Sequence, residues 1–244
     1  MRVLILGGTA EARELAAALV DLGVPVISSL AGRVQSPRLP AGEVRIGGFG
    51  GVEGLAAFLQ ADRITHVIDA THPFAQTMTR HGADASDCAG VPFVRYARPG
   101  WRARSDSASW TWVRSYDEAR VAAQELGAHP FLTTGRQTLP HFLEPWAARS
   151  VLVRVVEPLS SAPPTAWRVL LDRGPYTVDG ELAVMRQHEV DALLTKDSGG
   201  SYTAAKLDAA ASLGVPIVVV GRPEAPVGVR EVPTLHEALS TVVG

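Results

Sequence analysis

Short apolar runs alternate along this chain with longer stretches whose apolar positions recur at helical spacing. The run Arg2-Val3-Leu4-Ile5-Leu6 predicts a strand over 2–7. Ala12, Leu15, Ala16, Leu19 and Leu22 then form one stripe of a helix over 10–22. Val24-Pro25-Val26-Ile27 opens a second strand, and 31–51 reads as a long loop with a short strand at Val44-Arg45-Ile46. A helix follows over Gly51–Ala61, a strand at Thr65–Ala70, a helix over Pro73–Ala89 and a strand at Pro92–Tyr96. After a polar connector at 97–109 the alternation restarts. Strands are expected at 130–134, 151–156, 168–171, 190–195 and 215–220, with helices at 136–148, 178–188, 202–213 and 234–243. Such a pattern predicts the α/β class, with parallel sheets covered on both faces.

The restart suggests two domains. Val113-Arg114-Ser115-Tyr116-Asp117-Glu118-Ala119 echoes Val232-Pro233-Thr234-Leu235-His236-Glu237-Ala238. Each is a short strand followed by a hydroxyl N-cap with Glu three positions on, the signature of a capping box. The expectation is two Rossmann-like parallel-sheet domains with a ligand cleft between them. The join is placed at 127, within a window of 98–128, giving a cofactor domain over 1–127 and a substrate-contacting domain over 128–244. Either terminal strand-helix unit could instead pack on the other domain.

Bulk properties narrow the class. The 244 residues are 46% hydrophobic and 20% charged with net charge −2, which argues against a nucleic-acid partner. No apolar run is long enough to span a bilayer, so no membrane partner is expected. Met1-Arg2 leads straight into a core strand without the separate apolar segment of a signal peptide. The single cysteine, Cys88, excludes an intramolecular disulfide framework and is expected to pack within its helix. A cytoplasmic location follows as the default. Of 23 basic residues only Lys196 and Lys206 are lysines.

The first strand runs into Gly7-Gly8-Thr9-Ala10-Glu11-Ala12 and then a helix. A buried strand, a small-residue turn and a helix N-terminus together hold a dinucleotide pyrophosphate in Rossmann-type domains. The match to G-x-G-x-x-G is imperfect, with Thr9 at the second glycine and Ala12 at the third. The competing reading is an ordinary strand-to-helix turn. At the end of the second strand, Ser28-Ser29-Leu30-Ala31-Gly32-Arg33 holds no carboxylate for a ribose 2′-hydroxyl. Ser28, Ser29 and Arg33 suit a 2′-phosphate instead, so NADPH is the expected cofactor. Asp69-Ala70-Thr71-His72-Pro73-Phe74-Ala75 closes the central strand. With Pro73 in the first turn of the next helix, Thr71 and His72 would face the nicotinamide end.

Together with Lys196-Asp197-Ser198-Gly199-Gly200, the glycine turn and the Ile68–Ala75 segment resemble the precorrin-6A reductase family of cobalamin biosynthesis over essentially the whole chain. Gly221-Arg222-Pro223 belongs to the same resemblance. It implies an NADPH-dependent oxidoreductase acting on a CH–CH bond of a tetrapyrrole, converting precorrin-6A to precorrin-6B. Hydride goes to one ring carbon and a proton to its neighbour, without flavin or protein-bound metal. A related branch acts on the cobalt-bearing analogue, and the pathway setting leaves room for handover to neighbouring enzymes.

A flat polycarboxylate demands cations, hydroxyls and backbone N–H donors with apolar walls. Phe74, Thr134, Gly135, Arg136, Lys196, Ser198, Gly199, Gly200, Ser201 and Arg222 are therefore the expected substrate-binding residues. Ser201 is also expected to cap the following helix. His72 and Lys196 are the candidates for catalysis, with solvent an alternative proton source. Thr71 and His72 join Gly7, Gly8, Thr9, Ala10, Glu11, Ser28, Ser29 and Arg33 as cofactor-binding candidates. The spacing of Tyr202 and Lys206 matches Tyr-x-x-x-Lys formally but lies far from the N-terminal turn, so it is read as coincidence. Trp101, Trp110, Trp112, Trp146 and Trp167 are read as core or domain-contact residues, and 98–104 as a solvated connector. The competing functions are a reductase of a small imine or ketone, a second nucleotide site in the later half, and a non-catalytic NADPH sensor.

Overall fold

The computed structural model describes residues 1–32 and 37–244. Its elements run β1 (Val3–Leu6), α1 (Ala10–Asp21), β2 (Val26–Leu30), β3 (Glu43–Ile46), α2 (Gly51–Ala61), β4 (His66–Asp69), α3 (Gln76–Ala89) and β5 (Phe93–Tyr96). They continue with β6 (Thr111–Val113), α4 (Tyr116–Leu126), β7 (Pro130–Leu132), α5 (Pro140–Leu143), β8 (Val151–Val155) and β9 (Trp167–Leu171). The last are α6 (Val178–Gln187), β10 (Ala192–Lys196), α7 (Ala205–Leu213), β11 (Ile217–Val220), β12 (Glu231–Val232) and α8 (Leu235–Val243). No helix among the described residues is long and apolar enough to cross a membrane.

Two compact units form, one from residues 1–99 with 223–244 and the other from 100–222. Among the described residues each is built on six strands, in the orders β12-β5-β4-β1-β2-β3 and β6-β11-β10-β7-β8-β9. All recorded pairings are parallel. Both sheets follow the Rossmann order 3-2-1-4-5-6, and in both the sixth strand comes from elsewhere in the chain. β12 pairs with β5, and β6 pairs with β11.

This corrects the expected join at 127. The echoed strand-helix units, β6-α4 and β12-α8, are exchanged between the two sheets. The reason is packing. Val232, Ala238 and Val242 bury themselves beside Val3, Ile5, Leu15 and Leu19 in the first unit. In the second, α4 lies over β10 and β11 and fully buries Ala119 and Ala123. Ser115 accepts from the Glu118 N–H at 3.1 Å and Thr234 from the Glu237 N–H at 3.2 Å, so both expected N-caps form.

Sheet pleating assigns the cores. Val3 and Ile5 point toward α1 and α8, while Leu4 and Leu6 pack with Leu55 and Leu59 of α2 and Ala85 of α3. In the second unit Phe131, Leu152 and Leu193 pack with Met185 of α6 and Leu207 of α7. Four of the tryptophans are buried, and Trp112 is partly buried against the same cluster. Cys88 differs from expectation: it lies on the exposed side of α3.

Candidate functional site

In an open parallel sheet, ligands gather at the carboxyl ends of the strands, where the strand order reverses. In the first unit that point lies between β1 and β4, and the register Leu6↔Asp69 and Leu6↔Ser29 brings three strand ends level. Gly8 takes φ 113°, a conformation open to glycine, and a Cβ there would meet nothing within 4 Å. Thr9 caps α1 by accepting from the Ala12 N–H at 3.1 Å and donates to the Ala70 carbonyl at 2.7 Å. Its hydroxyl ties the turn to the end of β4, a contact that glycine at this position could not make. Glu11 forms an ion pair with Arg98, so the carboxylate in the first turn of α1 is neutralised and the N-terminus keeps its affinity for anions.

The neighbouring strand ends carry hydroxyls. Ser28 is 1% and Ser29 7% exposed. Ser28 Oγ and Thr71 Oγ1 are buried and have no hydrogen-bond partner among the described residues. An open glycine turn flanked by two such hydroxyls fits a dinucleotide. Arg33, the remaining candidate of this group, lies outside the described residues.

The β4 end is held by Asp69 together with two residues, Thr79 and Arg95, that the sequence pattern did not single out. Asp69, fully buried, accepts from the Thr71 N–H at 3.0 Å and from the Thr79 hydroxyl at 2.6 Å. Arg95 stands 4.0 Å from Asp69, donates to the Pro73 carbonyl at 3.3 Å and pairs with Glu231 at 3.2 Å. Asp69 opens the Asp69–Ala75 segment, whereas Thr79 and Arg95 reach it from α3 and β5. Pro73 does not open the helix as expected. The Ala75 N–H bonds the His72 carbonyl at 2.8 Å, placing Pro73 second in a β-turn, and α3 begins at Gln76. His72 Nδ1 accepts from the Phe74 N–H at 3.2 Å, and the two rings are 5.8 Å apart. That acceptor role leaves the proton of the neutral ring on Nε2.

The second unit presents its own group at the ends of β7, β10 and β11. Thr134, fully buried, shares a 2.7 Å hydrogen bond with Thr138. Gly135 takes φ 94° beside Lys196, whose Nζ lies 3.9 Å from where a Cβ would stand. Arg136 is exposed and donates to the Pro158 carbonyl at 2.9 Å. The helix expected over 136–148 is a 3-10 turn at Arg136–Thr138 followed by the four residues of α5. A second dinucleotide turn after β7 thus lacks the long helix whose dipole would hold phosphates.

At the β10 end Asp197, 3% exposed, organises the loop. It accepts from the Trp101 N–H at 2.9 Å, and Arg222 Nε sits 3.4 Å from its carboxylate and 3.1 Å from its carbonyl. Gly199 and Gly200 adopt φ 65° and 62°, and the Gly200 carbonyl accepts from the Trp101 indole at 2.9 Å. Lys196, Ser198, Gly199, Gly200 and Arg222 are thereby assembled at one edge of the sheet. Ser201 is no cap: the N-cap of α7 is Ala204, without a side-chain hydrogen bond. The connector at 98–104 is exposed at Pro99, Arg102 and Ala103, as expected, but its arginines are also held by partners. Besides the Arg98–Glu11 pair, Arg102 stacks 4.1 Å over Trp112 and Arg104 pairs with Asp106 and Asp208.

The residue most under-read is Lys206. It is 5% exposed, donates to the Thr203 carbonyl at 2.5 Å and lies 4.8 Å over the Trp101 ring. Burial pushes its ammonium down to about 7, partly offset by Glu181 and reinforced by Arg154 and Lys196. Near it, Arg154 grips Glu181 through bonds of 2.6 and 2.9 Å. The Tyr-x-x-x-Lys spacing touched this residue for the wrong reason.

A family model described as "Precorrin-6x reductase CbiJ/CobK" matches residues 2–242. A precorrin-6A reductase of Rhodococcus erythropolis is 46% identical over 99% of this chain and 97% of its own. One from Mycobacterium tuberculosis is 46% identical over 100% of this chain and 98% of its own. A solved structure of CobK precorrin-6A reductase superposes with a TM-score of 0.93 at 36% identity, covering 100% of this chain and 96% of that one.

Proposed function

The chain belongs to the precorrin-6x reductase family, and from that premise we propose that it reduces precorrin-6A to precorrin-6B in cobalamin biosynthesis with NADPH as the reductant. It is an oxidoreductase of a tetrapyrrole macrocycle. The metal-free substrate is preferred over the cobalt-bearing one because relatives bearing the precorrin-6A reductase name reach 46% identity over nearly full length.

The observation that carries the cofactor assignment is the β1–α1 turn, with Gly8 open at φ 113° and Thr9 bonded to both Ala12 and Ala70. Backbone N–H groups of Gly8, Ala10 and Glu11 hold the pyrophosphate charge at the start of α1, while Gly7, whose N–H bonds the Ser29 carbonyl at 2.9 Å, shapes the turn. Ser28, Ser29 and Arg33 receive the adenosine end. The lack of a carboxylate from Ser28 to Arg33 supports NADPH over NADH. When bound, the dihydronicotinamide supplies hydride.

Thr71 and His72 orient the nicotinamide end. Protonating His72 at Nδ1 would break its bond from the Phe74 N–H, so Nε2–H serves as a hydrogen-bond donor rather than as the ring-carbon acid. Lys196, Arg136 and Arg222 attract substrate carboxylates. Gly135 and the Ser198–Ser201 loop add hydroxyl and N–H donors, Phe74 adds an apolar edge, and Thr134, buried with its hydroxyl on Thr138, buttresses the Gly135 turn. The proton for the second ring carbon comes from the Lys196 ammonium or from solvent. Retention of turnover in Lys196→Ala would assign it to solvent.

The test is a single-turnover reaction of the purified protein with NADPH and precorrin-6A, following nicotinamide absorbance and product mass together. Oxidation of NADPH with a gain of two hydrogens by the macrocycle is expected. Tight NADPH binding without reduction would reject this substrate and leave the cobalt-bearing analogue or a sensing role to be tried. Near-normal turnover and affinities in both His72→Ala and Lys196→Ala would remove those two residues from the site.

A further inference from the structure

The chain carries 23 basic residues, and its two lysines both belong to the second unit. Everywhere else the positive charge is arginine, which cannot give up its proton under ordinary conditions. Lys196 and Lys206 thus carry the only side-chain ammonium groups in the chain. Lys196 ends β10, and Lys206 is the second residue of α7, which follows the Gly199-Gly200 loop in the chain. Each lysine lies within electrostatic reach of the other.

Lys206 is 5% exposed, and among the described residues no carboxylate forms an ion pair with it. Its Nζ bonds the Thr203 carbonyl at 2.5 Å and rests 4.8 Å from the Trp101 ring centroid. The charged groups acting on it come from each neighbouring element: Glu181 on α6, Arg154 on β8 and Lys196 on β10. The Glu181 carboxylate is already engaged by Arg154, which also stands 3.6 Å from Asp172. On its own helix, Asp208 is held by Arg104. Three cationic side chains thus face one committed buried carboxylate.

An anion placed in the Lys196–Gly200 loop changes that balance. Its negative charge favours the ammonium form of any amine nearby that is incompletely protonated. Because Lys206 also holds the Thr203 carbonyl and supports Trp101, which in turn holds the Gly200 carbonyl, its charge state is coupled to the loop that receives the ligand.

We propose that Lys206 is a proton-linked positioning residue of the substrate loop, so that binding of a tetrapyrrole carboxylate at the Lys196–Gly200 loop is accompanied by uptake of a proton at Lys206. This rests on the function proposed above. It does not make Lys206 a catalytic residue, since the side chain is buried beneath the loop.

The test is titration calorimetry of the whole protein with precorrin-6A in the presence of NADP+, which permits binding without turnover. Measurements at pH 7.5 in buffers of different ionisation enthalpy give the number of protons taken up. The wild type is expected to take up a substantial fraction of a proton, and Lys206→Met to lose that uptake. Lys206→Arg keeps the charge and cannot deprotonate, so it too should bind without this uptake. It serves as the second variant should Lys206→Met fail to fold. Equal uptake in wild type and variants, or binding by the wild type with none, would overturn the assignment. Absence of any binding to the wild type would instead remove the proposed function, and this inference with it. A reductase that turns over precorrin-6A but shows no Lys206-dependent uptake would remove the inference alone.

Discussion

The two units share a strand order and part company in their turns. In the first, β1 passes through Gly7-Gly8-Thr9 into a helix of 12 residues whose N-cap hydroxyl also bonds the neighbouring strand end. In the second, β7 passes through Thr133-Thr134-Gly135 into a 3-10 turn and a helix of four residues. Sheet geometry is common to both, but a long helix dipole aimed at the strand ends belongs to the first turn alone of these two. The second unit places its cations at the ends of β10 and β11 instead. On the function proposed above, the two related scaffolds divide labour, one presenting N–H groups to phosphate and the other lysine and arginine to carboxylates.

That contrast can be broken most severely by ending the chain after Arg222. Loss of Val232, Ala238 and Val242 would uncover the Val3–Ile5 face of the first sheet. NADPH binding should disappear. Tryptophan fluorescence should stay native, because all five tryptophans lie between 101 and 167, within the second unit.

Titration should then separate the units. The Lys206 ammonium is lowered in the folded chain from 10.5 to about 7, so the unfolded chain binds more protons between those values. The cost of burying the charge is full below pH 7 and fades as pH rises toward 10.5. The stability of Lys206→Met relative to wild type should accordingly fall by up to about 5 kcal/mol from pH 6 to 10.5, read by denaturant melts of tryptophan fluorescence.

Each unit also contains a buried arginine–carboxylate contact, which offers a matched pair of substitutions. Asp69→Ala strands the Thr71 N–H and the Thr79 hydroxyl and leaves Arg95 with Glu231 alone, and Glu181→Ala leaves Arg154 with only the half-exposed Asp172. Each should cost about 3–5 kcal/mol. Glu181→Ala should shift the tryptophan transition, whereas Asp69→Ala should act on NADPH affinity and on amide exchange around Thr71.

The smallest effects address the turns themselves. Thr9→Val, which removes the cap and the Ala70 bond, should destabilise by about 1–2 kcal/mol and weaken NADPH binding while sparing the tetrapyrrole. Gly135→Ala forces a side chain into φ 94° at a strain of about 1–3 kcal/mol and should do the reverse. Affinities for the two ligands, measured separately, decide both.

Local signals in the sequence carry far in this protein. Alternating periodicity places β1, α1, α2, β5 and α8 to within a residue or two, since each depends on its own pattern. The turn residues Gly8, Gly135, Gly199 and Gly200 are legible because positive φ favours glycine. What stays hidden is held by partners distant in sequence. Arg95 closes on Asp69 and Pro73, and Arg154 on Glu181, with nothing in either flanking pattern to announce a buried charge. Lys206 looked like a chance spacing because burial is a tertiary property. The helix over 136–148 failed because Gly135 and Pro140 break its start, while Phe142 and Trp146 are buried by the turns around them. The exchanged edge strands left one trace, the repeated capping sequence, which shows likeness but not which sheet each copy joins.

The exchange also orders events in time. The unit from 100 to 222 is one unbroken stretch, parenthesised by the two pieces of the other. On a ribosome the inner sheet has all its strands before the outer one receives β12 and α8. The nascent protein therefore holds one completed sheet while the other still waits, one edge open, for residues 231–243 to emerge.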